Sequence, residues 1–153
     1  MNDPKIWMAG GLAAVVAALM AASHPAQAAG DPVFGDWLTV NGAAKVHVAP
    51  CAANPALTCG TLFWLKAGGP SRDANNPDAA LKARPLIGVQ LVSDLKREAA
   101  GRWTDGRIYV PETGRTARAN MSANPDGTLK VEGCVAVICQ GRTWTRANGI
   151  GAN

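Results

Sequence analysis

Hydrophobic and polar positions along this chain alternate in short runs, and turn-forming residues stand between the runs. Ala44, Val46 and Val48 alternate with Lys45, His47 and Ala49. Ala117, Ala119 and Met121 alternate with Thr116, Arg118, Asn120 and Ser122, and Leu129 and Val131 alternate with Lys130 and Glu132. A period of two puts one set on a buried face and the other in water, which is the pattern of half-buried strands. Further strand candidates are Phe34–Val40, the bulky run Gly60–Lys66, Leu86–Val92, a run from Arg102 through Arg107–Val110, and Gln140–Ala147. Asn41-Gly42 joins the first two strands as a tight hairpin, while Pro111-Glu112-Thr113-Gly114 and Asn124-Pro125-Asp126-Gly127 are turn sequences. Eight strands at hairpin spacing predict an all-β, antiparallel up-and-down barrel rather than a Greek key.

Two segments interrupt this rhythm and predict short helices. Asn76 suits an N-cap, Pro77 the first helical position and Asp78 the positive end of the dipole, and Pro85 stops the helix after Arg84. Ser93-Asp94 through Ala99-Ala100 ahead of Gly101 reads in the same way, with a capping Ser and a terminal Gly. Ala67–Asn76, polar and Gly-rich, predicts a mobile loop.

The 153 residues carry 17% charged and 48% hydrophobic side chains, too apolar for a disordered chain, and show no repeat, heptad or collagen pattern. The N-terminus has its own composition. Lys5 precedes an uncharged, Ala- and Gly-rich run from Ile6 to Ala22, followed by Pro25 and the small-x-small site Ala26-Gln27-Ala28. This order predicts a signal peptide over residues 1–28 and a single barrel domain over 29–153; a membrane anchor is the competing reading of the apolar run. Cleavage removes Lys5 together with Asp3, leaves the net charge at +4, and exposes no Cys for lipid attachment. The expected product is periplasmic or secreted and not an integral membrane protein.

Cys51, Cys59, Cys134 and Cys139 all lie beyond the leader, as disulfides in an oxidising compartment would. Nearest-neighbour pairing would close two short loops, each stabilising by about 2–3 kcal/mol, but four cysteines permit three connectivities. Zinc is the rival reading. Its ligand pairs normally sit two to four residues apart, and His47 is the one His after the leader and far from the cysteines, so no metal is expected.

Catalytic constellations are not evident. A Ser or Cys nucleophile needs a His base, and His47 falls on the polar face of a strand. The carboxylate pairs Asp73 with Asp78 and Asp94 with Glu98 occupy loop and cap positions that account for them without chemistry, and no phosphate-cradling Gly loop is present. The basic residues are scattered along the chain rather than clustered, so nucleic acid is not an expected partner; mild attraction to anionic lipid or cell-wall polymers fits the charge better. The segment holding Arg72, Asp73, Asn76 and Arg84 is the foremost candidate for ligand or partner contacts, with a clamp between these charges as its structural alternative. Trp64 and Trp103 are further candidate contacts.

Gly35-Asp36-Trp37-Leu38, Cys51 with Cys59-Gly60, Asp73 with Asn76-Pro77, Arg84-Pro85-Leu86-Ile87-Gly88, Gly106 through Pro111, Gly114, Leu129-Lys130-Val131 with Gly133-Cys134, and Trp144-Thr145-Arg146 together resemble the bacterial secreted family termed domain of unknown function 2147. The resemblance spans nearly all of residues 29–153; Cys139 departs from its pattern. The family is similar in turn to lipocalin-like, or calycin, barrels. The resemblance implies that Gly35 and Trp37 on the first strand meet Arg146 on the last, a guanidinium over indole closing the barrel. The function it leads us to expect is that of an exported, monomeric, non-catalytic and cofactor-free barrel binding a small apolar or amphipathic ligand, since Gly88, Ala117 and Ala119 would leave interior room. The alternative is an envelope interaction protein with a packed barrel and no internal ligand.

Overall fold

The computed structural model describes residues 30–147. The predicted leader lies outside the described residues. Eight antiparallel strands form a closed barrel in chain order: β1 Gly35–Leu38, β2 Ala44–Pro50, β3 Leu57–Leu65, β4 Gln90–Ala99, β5 Arg102–Val110, β6 Arg115–Ala123, β7 Leu129–Val135 and β8 Ile138–Arg146. Each strand pairs with the next, and β8 returns to β1 through Trp37 opposite Arg146 and Leu38 opposite Thr145. These two pairs join the first strand to the last, while Ile138–Trp144 of β8 extend beyond β1.

The alternating positions of the sequence become the inner face. Val46 and Val48, Leu62, Val92 and Leu95, Ala119 and Met121, and Leu129 and Val131 are buried in one cluster with Trp37, Trp103 and Trp144. Small inner residues admit their neighbours rather than leaving space: a Cβ on Gly106 would stand 2.7 Å from Leu95 Cγ, and one on Gly60 3.1 Å from Val46 Cγ1. Gly88, expected to face this interior, is instead exposed in the long β3–β4 connection.

The second predicted helix does not form. Ser93–Ala99 belongs to β4, where Asp94 takes a left-handed conformation (φ 57°) and one extra residue opposes β3. That bulge shifts the inward set from Val92 to Leu95, so the spacing imitates a helical period. The first predicted helix shortens to a 3₁₀ turn at Ala79–Leu81, capped by the Asp78 carboxylate on the Ala80 amide at 2.9 Å and not by Asn76. A second 3₁₀ turn, Val40–Gly42, contains the Asn-Gly pair, with both residues at φ near 64° as the tight turn demands.

Up-and-down topology gives the barrel two unlike ends. The β2–β3, β4–β5 and β6–β7 connections lie at one end together with the segment Gly30–Phe34. Asp31, buried there, accepts from the Gly101 amide at 3.1 Å and faces Arg97 at 3.6 Å, while Val33 is fully buried. The β1–β2, β3–β4, β5–β6 and β7–β8 connections define the opposite end.

Candidate functional site

Residues 66–89 join β3 to β4, and this long connection is zipped along its own length. The Leu86 amide donates to the Ser71 carbonyl at 2.9 Å, the Asp73 amide to Arg84 at 3.1 Å, and the Arg72 guanidinium to the Ala83 carbonyl. Asp73 sits fully buried at the centre. Its carboxylate accepts from Arg84 Nε at 2.9 Å and Nη2 at 2.8 Å, from Asn76 Nδ2 at 2.7 Å, and from the Tyr109 hydroxyl on β5. Asn75 Nδ2 reaches the Glu112 carbonyl at 3.0 Å, and Gly114 (φ 66°) is required because a Cβ there would collide with the Asn75 carbonyl. Four of the sequence candidates, Arg72, Asp73, Asn76 and Arg84, are therefore brought together, and Tyr109 joins them from 36 residues away.

Burial by itself would push the Asp73 carboxyl upward, but the hydrogen bonds from Tyr109, Asn76 and Arg84 and the Arg84 charge outweigh it and hold the group below the ordinary carboxylate range. Burial raises the Tyr109 phenol, and its bond to the Asp73 carboxylate raises it further. Both oxygens of the carboxylate are engaged by the protein, Oδ2 by Arg84 and Asn76 and Oδ1 by Tyr109, so the cluster acts as a latch that fixes the connection to β5 rather than as a base.

The two tryptophan candidates lie apart from this latch. Lys45 Nζ stands 5.1 Å from the centre of the Trp64 ring, beside a groove of about 380 Å³ formed by Phe63, Lys66, Pro70 and Ile87. Trp103 is buried in the core, its ring centre 5.8 Å from that of Phe34, and among the described residues neither its indole N–H nor the buried hydroxyl of Thr58 has a hydrogen-bond partner.

The inner face of β8 holds residues of another kind. Side chains opposite one another in an antiparallel pair share a face. Arg142 pairs with the buried Val131 and Gln140 with Gly133, so both face inward, and Arg115 does the same beside Val110 on the rim. All three are exposed, whereas the inner residues toward the other end, Trp144 and Leu129, are buried. Inner-face positions are thus buried toward the sealed end and exposed toward the other, where Arg142 and Gln140 follow Trp144 along the same face of β8.

The other end is sealed by the first and last strands. Arg146 lies 3.8 Å from the centre of the Trp37 ring and donates to the Phe34 and Pro32 carbonyls, each at 2.6 Å. Trp37 Nε1 donates to Val33 at 2.8 Å. Gly35 has φ 118°, and a Cβ would stand 2.6 Å from the Arg146 guanidinium, so only glycine fits. The family described as "uncharacterized protein conserved in bacteria", DUF2147, matches residues 35–146, from this glycine to this arginine. The chain belongs to that family.

A solved structure extends the likeness to the fold of this DUF2147 member. It is similar to protein HP1028 from Helicobacter pylori, which is described as belonging to the lipocalin family, with a TM-score of 0.65 and 20% identity over 75% of this chain and 82% of that one. Among curated proteins none matches the sequence. This DUF2147 barrel carries two disulfides, Cys51–Cys59 and Cys134–Cys139, the nearest-neighbour pairing, and they are compatible with an exported protein. Among the described residues no three His, Cys, Asp or Glu side chains gather as a metal site. His47 Nδ1 faces Asp36 Oδ1 at 2.6 Å on the half-exposed outer surface, a contact worth at most about 1 kcal/mol.

The residues that the sequence reading missed are Tyr109 in the latch and Arg142, Gln140 and Arg115 in the open lumen. Tyr109 had a signal, since a lone Tyr beside turn residues needs a hydroxyl partner when buried. Arg142 had a weaker one, two residues before Trp144 and so on the same face of a strand.

Proposed function

We propose that this protein is an exported, non-catalytic carrier that binds one small amphipathic molecule with an anionic head in the open half of its barrel. The carrying observation is Arg142: a cation on the inner face of β8, with no carboxylate within ion-pair distance among the described residues. An aliphatic tail would lie against the partly exposed Ile108 and Ala117, and Arg142 with Gln140 would bind a carboxylate or phosphate through charge-assisted hydrogen bonds. Release to the periplasm or the medium after cleavage before Ala29 and a monomeric state belong to the same reading. The leader sequence and two short-loop disulfides support the export.

The filled lower half of the barrel favours a second reading, a packed envelope protein that acts through its outer surface. Native mass spectrometry of the protein purified without detergent from the cells that make it separates the two. The carrier reading expects a reproducible extra mass that is released on unfolding. An apo mass, with unchanged Trp emission across a series of fatty acids and lysophospholipids, would leave only the second reading standing.

A further inference from the structure

The β7–β8 hairpin ends in Val135-Ala136-Val137-Ile138, four apolar residues where turn chemistry favours Asn, Asp or Gly. Ala136 adopts φ 52°, a left-handed conformation that a glycine would take without strain. Val135, Val137 and Ile138 are 72%, 93% and 70% exposed, and the Cys134–Cys139 disulfide clasps the strands immediately behind them. A loop selected for folding alone would carry other residues.

The remaining large hydrophobic side chains that the described residues expose are Val40, Phe63, Leu81 and Ile87. All four lie on the connections of the same barrel end, or within two residues of it. Among the described residues the sealed end exposes none. Beside the tip, Arg107 and Arg118 lie directly opposite each other on the outer face of β5 and β6, an arrangement of like charges that costs stability by itself. They line a groove of about 510 Å³ with Cys134, Ala136, Thr116 and a single acid, Asp105. Neither arginine has an ion-pair partner among the described residues. Lys45, Lys66 and Lys82 stand toward the same end, against Asp78 and Glu112.

We infer that the open end of the barrel docks on anionic membrane surfaces, with the Val135–Ile138 tip entering the acyl boundary and Arg107 and Arg118 resting on lipid phosphates. Aliphatic side chains on a rigid projection, ringed by cations, match a bilayer whose apolar interior lies beneath negative head groups. A second copy of the chain matches less well. The tip is far too small for the roughly 800 Å² per partner of a stable dimer, and a two-fold contact there would bring the arginines of both copies together. The inference goes beyond the carrier reading and does not depend on it, because Arg107 and Arg118 lie on the outer face and Val137 stands past the last paired residues of the hairpin.

Sedimentation of the full chain with vesicles of phosphatidylcholine, with and without 30% phosphatidylglycerol, tests this. The wild type is expected to sediment with the anionic vesicles only, and less at high salt. Val137→Asp should weaken that binding tenfold or more, and Arg107→Gln and Arg118→Gln about fivefold each. A Val137→Trp variant adds a direct reading: its extra emission should shift to the blue and be quenched by brominated lipids. Equal binding by wild type and Val137→Asp, an unshifted extra emission from Val137→Trp, or a dimer that Val137→Asp converts to monomer would each overturn the inference.

Discussion

The two ends of this barrel solve opposite problems with the same kind of strand. At the sealed end an apolar floor is closed by Val33, Trp37 and Arg146, and the guanidinium that covers the indole also satisfies the Phe34 and Pro32 carbonyls. At the open end the interior keeps Arg142 and Gln140 in water, and order comes from the Asp73 latch, which fastens the long connection without filling the lumen. The tightest packing is thus at the end opposite the surface that the proposed carrier would use for binding. The difference teaches that in a small barrel one end can supply the rigidity that the other end spends on function.

Substitutions should separate the ends by size of effect. Trp37→Ala removes the largest fully buried side chain and is expected to cost about 3–5 kcal/mol. Arg146→Ala, which loses two carbonyl hydrogen bonds and the ring contact, should cost about 3 kcal/mol. Urea denaturation measures both, and a loss below 1 kcal/mol for either would remove the sealed end from its assigned role.

The latch should give a smaller and pH-dependent effect. Asp73→Asn is expected to cost about 2 kcal/mol at neutral pH, from charge-assisted bonds lost to Arg84, Asn76 and Tyr109. Because the folded carboxyl titrates below its unfolded value of about 3.9, its contribution is fully present above that pH and fades as the pH falls through the folded value. The raised Tyr109 phenol sets the other limit: its contribution is complete below about pH 10 and is lost as the pH rises through the folded value. The stability difference between wild type and Asp73→Asn should therefore shrink toward zero in acid, and a difference that stays constant from pH 7 to pH 2 would contradict the latch.

At the small end of the scale, Thr58→Val should stabilise by about 1 kcal/mol, since it replaces an unpaired buried hydroxyl by a methyl of similar shape. Calorimetric melting reads this as a rise of a few degrees. Val137→Asp, at 93% exposure on the open end, should change stability by less than about 0.5 kcal/mol. A large loss there would mean that the tip serves the fold and is not free for docking.

Much of this architecture was legible in the sequence because β2, β6 and β7 keep strict alternation and the β1–β2, β5–β6 and β6–β7 turns carry Asn, Asp, Gly or Pro. The misreadings have local physical causes. Asp94 breaks the period of β4 with a bulge, and Ser93 and Gly101 then mimic helix caps around it. Asn76 looks like a helix cap because its side chain does accept a backbone amide, that of Asp78, but its amide nitrogen is committed to Asp73 and Tyr109. The latch was half visible as charges within one segment, while its Tyr109 partner is set by packing of distant strands. The lumen was the least legible part. Gln140 and Arg142 put polar groups on an inner face, where a binary pattern expects apolar ones, and such violations concentrate where a fold serves something other than its own stability.

That violation is the central claim, and calorimetric titration with lauric acid and with dodecanol tests it most directly. The two ligands share a chain length and differ in the head group that Arg142 would bind. The acid should bind about tenfold tighter than the alcohol, and Arg142→Gln should abolish the difference while leaving alcohol binding in place. Equal affinities for the wild type, or an advantage for the acid that survives Arg142→Gln, would contradict the assignment of the open lumen to an anionic amphiphile.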